Sequence, residues 1–165
     1  QGRERVFAIR ILARSLDLHA GQAVDRVGGK LGLPFPAGSA LEELAMGSQA
    51  DYRPTVAFKG MDCCLSGVEN QCDRLLEEGM PPADVAKYCL CFLREAILTM
   101  TKKAVAVFPR LPVIYAGGVM SHRFLQESVR ARYPQSGSAH SAYSPENAAG
   151  IALLCARRHE REVER

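Results

Sequence analysis

Two adjacent glycines, Gly117 and Gly118, are the residues with the clearest potential for chemistry. They follow a short apolar run bounded by Pro112, which is typical of a buried strand, and Ser121 is suited to cap a helix after them. A strand, a glycine turn and a helix start bring backbone N–H groups together with no bulky side chain in front of them, and such groups bind phosphate. Taken alone, the pair also fits a plain tight turn, so both interpretations stay open.

Metal chemistry based on cysteine or histidine motifs has little support. The six cysteines include the neighbours Cys63 and Cys64 and the close pair Cys89 and Cys91, but none has zinc-type spacing. The four histidines lie far apart, and no HExxH motif is present, which argues against a metalloprotease. We therefore expect mostly buried, reduced thiols, as in a cytoplasmic protein.

Composition sets the scale of the fold. The chain has 165 residues, is 47% hydrophobic and carries a formal net charge of +3, which suits one domain, residues 1–165, with one sizeable core. Basic side chains are dispersed apart from a few arginines near the C-terminus, so no nucleic-acid footprint is visible. There is neither a secretory signal nor an apolar run of 18 residues, and we expect no membrane association.

Periodicity and turn residues predict the elements that must position any site. Predicted strands cover residues 5–13, 55–58, 111–116 and 138–143. Predicted helices begin after an Asp17 cap and at residues 36, 66, 82, 121 and 144. Helices that alternate with short strands indicate an α/β or α+β domain whose sheet is mostly covered.

The helix predicted over residues 82–107 is the longest. Its apolar residues recur at steps of three and four, and its methionines and cysteines fit as core filler rather than as a cofactor site. Arg94, Lys102 and Lys103 fall off this stripe, so we expect them on a solvated face.

Three segments form an ordered set. Residues 16–38 contain LDLHAGQAVD and LGLPFPAG, residues 65–67 read LSG, and AGGV at 116–119 precedes ENAA at 146–149. In this order they resemble the C-terminal half of the TsaD/Gcp family, the tRNA threonylcarbamoyladenosine proteins once called glycoproteases. The resemblance covers most of residues 8–155. It implies half of an actin/Hsp70/sugar-kinase architecture, a ribonuclease-H-like α/β domain with a mixed sheet flanked by helices.

The resemblance also implies a site for an adenine nucleotide, either ATP or threonylcarbamoyl-adenylate. Asp25 and Gly38 fall where the family contacts its adenylate, and Gly117 and Gly118 correspond to the phosphate-side turn. A carboxylate can accept hydrogen bonds from ribose hydroxyls, whereas the alternative for Asp25 is a solvated helix residue. His122 replaces the family's substrate-contacting asparagine.

A divalent metal, whether Fe, Zn or Mg, is implied through Glu146, which stands at the family's metal-binding aspartate. Glu146 equally suits the N-terminus of a helix, where a negative charge is favourable. Two further departures from the family pattern are Gln22 for a glutamate and Glu69 for a lysine. The family's paired metal-binding histidines and its SGGH loop belong to sequence before residue 1.

The resemblance therefore favours a TsaD-like domain that forms one wall of a nucleotide cleft, completed by an N-terminal half of the same protein and not active alone. In the family, a threonylcarbamoyl group moves from its adenylate to N6 of adenosine in tRNA, so tRNA is a partner only where that activity is kept. The alternative is a non-catalytic paralogue, an interaction or regulatory subunit that pairs with a second copy of itself or with a TsaB-like partner.

Overall fold

The computed structural model describes residues 9–139, 150–152, 154–156 and 159. Its five α-helices within residues 9–139 are α1 Ala20–Lys30, α2 Gly38–Met46, α3 Gly67–Glu77, α4 Pro82–Val107 and α5 Arg123–Arg132. The four strands there are β1 Ala57–Lys59, β2 Asp62–Cys64, β3 Ile114–Tyr115 and β4 Gly137–Ser138, and a 3-10 helix spans Val119–Ser121. The chain is α/β, as the sequence predicts.

Helix α4 is the centre of the fold, with α1, α2, α3 and α5 packed around it. Its predicted apolar stripe is buried where it meets these helices, as at Val85, Phe92 and Leu93. Pro82 occupies the first turn, where its missing N–H costs no hydrogen bond. A helix enclosed by several others buries more than one stripe, which explains why one charged position on α4 is buried as well.

That position is Arg94, and its predicted place on a solvated face is wrong. Only 7% of Arg94 is exposed, and the segment at Asp51 and Tyr52 contacts it. Its guanidinium donates to the backbone oxygen of Tyr52 at 2.7 Å and to Glu95 at 3.1 Å, and it pairs with Asp51. The buried charge is thus compensated, which makes the burial tolerable.

The strands form two short sheets within the described residues. β1 and β2 make an antiparallel hairpin, and β3 pairs in parallel with β4. The predicted strands at 55–58 and 111–116 correspond to β1 and β3, and β4 begins one residue before the strand predicted from 138. The larger mixed sheet of the ribonuclease-H-like architecture stays a prediction.

The strand predicted over residues 5–13 is wrong for its described part. Residues 9–13 have no strand pairing and are largely exposed. Pairing begins beyond them, where Cys63 donates to the Arg14 carbonyl at 3.1 Å and Leu16 donates to the Cys63 carbonyl at 2.9 Å. Side-chain alternation predicts a strand at residues 5–13. Within the described residues, however, this part of the chain pairs with a strand only at Ser15, next to Cys63 of β2.

The sequence predicts that Asp17 caps α1, but in the structure it does not. His19 is the N-cap, and its backbone N–H donates to the Gln22 side chain at 3.2 Å. The Asp17 carboxylate instead accepts from the backbone N–H groups of Leu65 at 2.7 Å and Ser66 at 3.2 Å, and from the Ser66 hydroxyl at 2.6 Å. Partial burial raises the pKa of Asp17, but these hydrogen bonds outweigh it and hold that pKa well below the ordinary value.

Glu69, which stands where the family pattern has a lysine, has a structural role between α1 and α3. Glu69 pairs with Arg26 at 3.0 Å and with Lys30 at 3.4 Å, and Lys30 also binds Asp73. The hydrogen bond from Arg26 is the main cause of the lowered pKa of Glu69. The carboxylate at this position therefore fastens α3 to α1.

Buried thiols are the other notable component of the core. Four of the six cysteines are buried, in line with the sequence expectation, and all six are free: Cys63, Cys64, Cys72, Cys89, Cys91 and Cys155. Cys72 of α3 and Cys89 of α4 face each other, and their thiol hydrogen bond together with burial raises the pKa of Cys89 well above its ordinary value. Burial also raises the pKa of Cys91.

Several predictions fall outside the described residues. The strand residues 5–8 and 140–143 lie there, as does the start of the last predicted helix at 144–149. Residues 150–152 and 154–156 are helical, in agreement with the remainder of that prediction. Among the helices that the structure describes, none is both long and apolar enough to cross a bilayer.

Candidate functional site

Asp25 connects α1 to the start of α2. Ala23, Val24 and Val27 turn into the core, which leaves Asp25 half-buried at the edge of α1. Its Oδ1 accepts a hydrogen bond from the backbone N–H of Ala37 at 2.8 Å. Because Ala37 is the N-cap of α2, this bond fixes the position of the next residue, Gly38. Asp25 and Gly38 are thus brought close together.

The close approach of α1 and α2 requires a glycine at position 28. A Cβ on Gly28 would lie 2.2 Å from the Cβ of Ala37, far inside any normal contact between carbon atoms. A Cβ on the adjacent Gly29 would meet nothing within 4 Å. Gly28 therefore sets the distance between Asp25 and the Ala37–Gly38 segment.

His122 lies beside Gly38. It is the N-cap of α5 and only 5% exposed. Its Nε2 atom lies 3.5 Å from the position that a Cβ on Gly38 would take, so a larger residue at position 38 would crowd the ring. These three residues form the Asp25 row, in which Asp25 binds Ala37, the residue before Gly38, and His122 lies against Gly38.

Glu42 is a site residue that the sequence predictions missed. Its Oε1 accepts from the backbone N–H of Phe124 at 2.9 Å, and its Oε2 lies 3.6 Å from Nδ1 of His122. Burial lowers the pKa of His122, and the negative charge of Glu42 opposes this effect. Glu42 follows Gly38 by four residues and shares its helix face, and this spacing is the signal that could have identified it.

The Gly117–Gly118 turn is confirmed as a tight turn. Gly117 has φ of +108°, which a side chain would disfavour, and a Cβ on either glycine would meet nothing within 4 Å. The Val119 side chain approaches the Cβ position of Gly21 to 3.9 Å, so the turn lies beside the first turn of α1. Gly21 and Asp25 are one helical turn apart, which connects the glycine turn to the Asp25 row.

Two details of the predicted phosphate turn need correction. Ser121 does not cap α5, because it lies in the 3-10 helix and its hydroxyl donates to the Gly118 carbonyl. In addition, Glu42 already occupies the backbone N–H of Phe124 in the first turn of α5. A carboxylate at this helix start opposes an anion there, so the glycine turn itself is the remaining candidate for phosphate.

The implied metal has no visible ligand set. Glu146 lies outside the described residues. Across the part of the chain that the structure describes, no three His, Cys, Asp or Glu side chains are grouped so that they could hold a metal ion. The metal site at Glu146 therefore stays a prediction.

A separate surface pocket of about 370 Å³ lies between α2, α4 and α5. Glu42, Lys87, Arg123 and Phe124 line it, while Asp25, Gly38 and His122 do not. The Lys87 ammonium lies 4.2 Å from the centroid of the Phe124 ring. Glu42 thus separates this pocket from the row of predicted site residues.

The fold and the site define a helix-rich α/β domain in which Asp25 of α1 binds the start of α2, His122 at the start of α5 lies beside Gly38, and the glycine turn lies next to the first turn of α1. A sequence model of the TsaD family, tRNA N6-adenosine threonylcarbamoyltransferase, matches residues 2–153. The chain belongs to the TsaD family, which confirms the resemblance.

Individual relatives agree with this assignment. The chain is 33% identical over 164 residues to the tRNA N6-adenosine threonylcarbamoyltransferase of Thermus thermophilus, an alignment that covers 92% of this chain and 48% of the relative. It is 32% identical over 130 residues to the enzyme of that name from Archaeoglobus fulgidus, covering 78% of this chain and 40% of the relative. A probable bifunctional tRNA threonylcarbamoyladenosine biosynthesis protein of Thermoplasma volcanium is 28% identical over 120 residues, covering 73% and 23%. The chain thus spans less than half the length of these relatives.

Proposed function

We propose that this chain is the C-terminal half of a threonylcarbamoyltransferase of tRNA and forms one wall of an adenine-nucleotide cleft. The observation that supports the proposal is that Asp25, Gly38 and His122, which the resemblance assigns to the adenylate, lie close together: Asp25 binds Ala37, and His122 is beside Gly38. The N-terminal half of the same protein supplies the opposite wall.

Each residue has a distinct task in this proposal. The Asp25 carboxylate accepts hydrogen bonds from the ribose hydroxyls of ATP or threonylcarbamoyl-adenylate, while its bond to Ala37 keeps it oriented. Gly38 leaves room for the nucleotide beside His122. Gly117 and Gly118 form a turn without side chains, next to which a phosphate can approach the backbone.

The proposed reaction is transfer of the threonylcarbamoyl group from its adenylate to N6 of an adenosine in tRNA. The contribution of this chain is binding and orientation, because its residues hold the nucleotide end of the donor while the acceptor amine approaches. Glu146 is the one residue of this chain that we propose as a ligand of a divalent metal, whether Fe, Zn or Mg. We also propose that the protein is located in the cytoplasm.

Calorimetric titration of ATP and AMP into the intact protein tests the proposed cleft. Asp25→Asn keeps an oxygen for the Ala37 N–H but removes the charge, so it separates ligand binding from helix positioning. We expect about tenfold weaker binding, the value of one charge-assisted hydrogen bond. Glu43→Gln, on the exposed side of α2, is the matched control and should bind as the unmodified protein does. Absence of binding at millimolar nucleotide would refute the cleft.

A second candidate is a non-catalytic paralogue that acts as an interaction or regulatory subunit. The observation that favours it is a set of exposed apolar side chains between α4 and β3, namely Val107, Leu111 and Ile114. Such surface suits a second copy of the chain or a TsaB-like partner. Measurement of threonylcarbamoyladenosine in tRNA supplied with threonylcarbamoyl-adenylate discriminates the two functions, because the paralogue forms none.

A further inference from the structure

The His122 ring is held between Gly38 and Glu42 in an unusual hydrogen-bonding state. Nδ1 is buried and has no hydrogen-bond partner within the described residues, although Oε2 of Glu42 lies 3.6 Å away. Nε2 is on the opposite edge of the ring, beside Gly38. One nitrogen therefore faces a carboxylate, and the other lies against the Gly38 backbone.

The Glu42 carboxylate is fixed in this orientation because its Oε1 accepts from the backbone N–H of Phe124. A neutral imidazole carries its proton on one nitrogen only. A lone pair on Nδ1 would face the negative oxygen and be repelled, whereas a proton on Nδ1 is attracted to it. Glu42 thus selects the form with the proton on Nδ1 and the lone pair on Nε2.

We propose that Glu42 is a positioning residue that keeps the proton of His122 on Nδ1, so that Nε2 accepts a hydrogen bond from an N–H or O–H group of the bound nucleotide. The inference rests on the proposed nucleotide cleft and specifies how this chain reads its ligand. An asparagine at this position can offer a donor or an acceptor, but His122 beside Glu42 offers an acceptor alone. The matching ligand groups are the adenine amino group and the ribose hydroxyls.

Other charged groups around the ring are already paired or lie farther along their elements. Arg123, next to His122 on α5, binds Glu127 at 2.7 Å, and Lys87 of α4 lies over the Phe124 ring. On α1, Asp25 accepts from Ala37. Glu42 is accordingly the charged group that acts on the ring.

This arrangement makes nucleotide binding depend on pH in one direction. Protonation of the neutral ring converts Nε2 from an acceptor into a donor, so the affinity must fall as the pH is lowered. Burial holds the pKa of His122 below the ordinary value of 6.5. The affinity should therefore be constant near pH 7 and above, and it should decrease in the acidic range below 6.5.

The state of the ring can be measured without any nucleotide. Nitrogen-15 NMR of the imidazole distinguishes a proton on Nδ1 from one on Nε2, and we expect Nδ1–H in the unmodified protein. In Glu42→Gln the side-chain oxygen can keep the Phe124 N–H, which turns the amide donor toward Nδ1 and should move the proton to Nε2. An Nε2–H form in the unmodified protein, or the same form in both proteins, overturns the role of Glu42.

Calorimetry with AMP between pH 5.5 and 8 then tests the consequence for the ligand. Glu42→Gln should bind AMP about tenfold more weakly at pH 7.5, because a donor replaces the acceptor, while the control Glu43→Gln should not differ. His122→Asn should lose the decrease in affinity at low pH. An unchanged pH profile in His122→Asn contradicts the inference, whereas no AMP binding by any variant contradicts the proposed function and leaves the NMR result to decide on Glu42.

Discussion

Gly28→Ala is the most direct test of how the site is assembled. The added Cβ would lie 2.2 Å from the Cβ of Ala37, whereas carbon atoms in contact are normally about 3.5–4.0 Å apart. Helix α1 and the Ala37–Gly38 segment must therefore separate by roughly 1.5 Å. The Asp25–Ala37 hydrogen bond, now 2.8 Å long, spans the same gap and should be lost or badly strained.

The matched control for this change is Gly29→Ala. Both substitutions gain about 1 kcal/mol of helix propensity, so the difference between the two variants isolates the cost of overpacking. We expect Gly28→Ala to be about 1–3 kcal/mol less stable than Gly29→Ala. For a chain of this size, that difference lowers the melting temperature by roughly 2–10 °C.

Thermal unfolding followed by circular dichroism and nucleotide titration supply the two measurements. Gly28→Ala should melt earlier than Gly29→Ala and bind AMP more weakly, whereas Gly29→Ala should melt slightly above the unmodified protein. Equal melting temperatures for the two variants would refute the claim that α1 and α2 are in contact at position 28.

Three further predictions concern the core, the buried arginine and the acid response. In urea unfolding, Phe92→Ala removes a side chain 1% exposed at the centre of α4 and should cost about 3–5 kcal/mol, whereas Phe35→Ala, 84% exposed, should change stability by less than about 0.5 kcal/mol. Arg94→Ala leaves the part-buried Tyr52 carbonyl without its donor and should cost about 1–3 kcal/mol, while the same change at the exposed Arg53 should cost less than about 0.5 kcal/mol, and equal losses would contradict this. Because the folded-state pKa of Asp17 lies below 3.8, the unfolded chain binds its proton more readily, and stability should fall as the pH drops below about 4. Urea midpoints at pH 3, 4 and 6 should show a shallower acid loss in Asp17→Asn.

The helices could be predicted from the sequence because their signals are local. The apolar periodicity of α4 and the Pro82 start are contained in the segment itself, and the structure confirms both. The row of Asp25 and Gly38 was accessible through the family motifs. These motifs also singled out position 122, although they say nothing about its neighbour Glu42.

The predictions that failed depend on contacts between distant parts of the chain. Asp17 resembles a local helix cap in the sequence, but its donors at Leu65 and Ser66 are nearly 50 residues away. The sequence predicts that Arg94 is solvated because no local pattern shows that Asp51 and Tyr52, more than 40 residues away, bind it. A lone glutamate such as Glu42 likewise acquires its role only when α5 packs against α2.

The buried thiols of α3 and α4 can be used to measure how often these helices open locally. A thiol reacts as the thiolate, and the raised pKa values of Cys89 and Cys91 suppress that form while the helices are packed. Alkylation of Cys89 therefore requires the α3–α4 contact to separate, whereas alkylation of Cys91 requires the segment at Asp51 and Tyr52 to move, and the two rates report how often each occurs. Mass spectrometry of timed alkylation would follow this motion residue by residue, with the exposed Cys155 labelled early in the same sample as a reference.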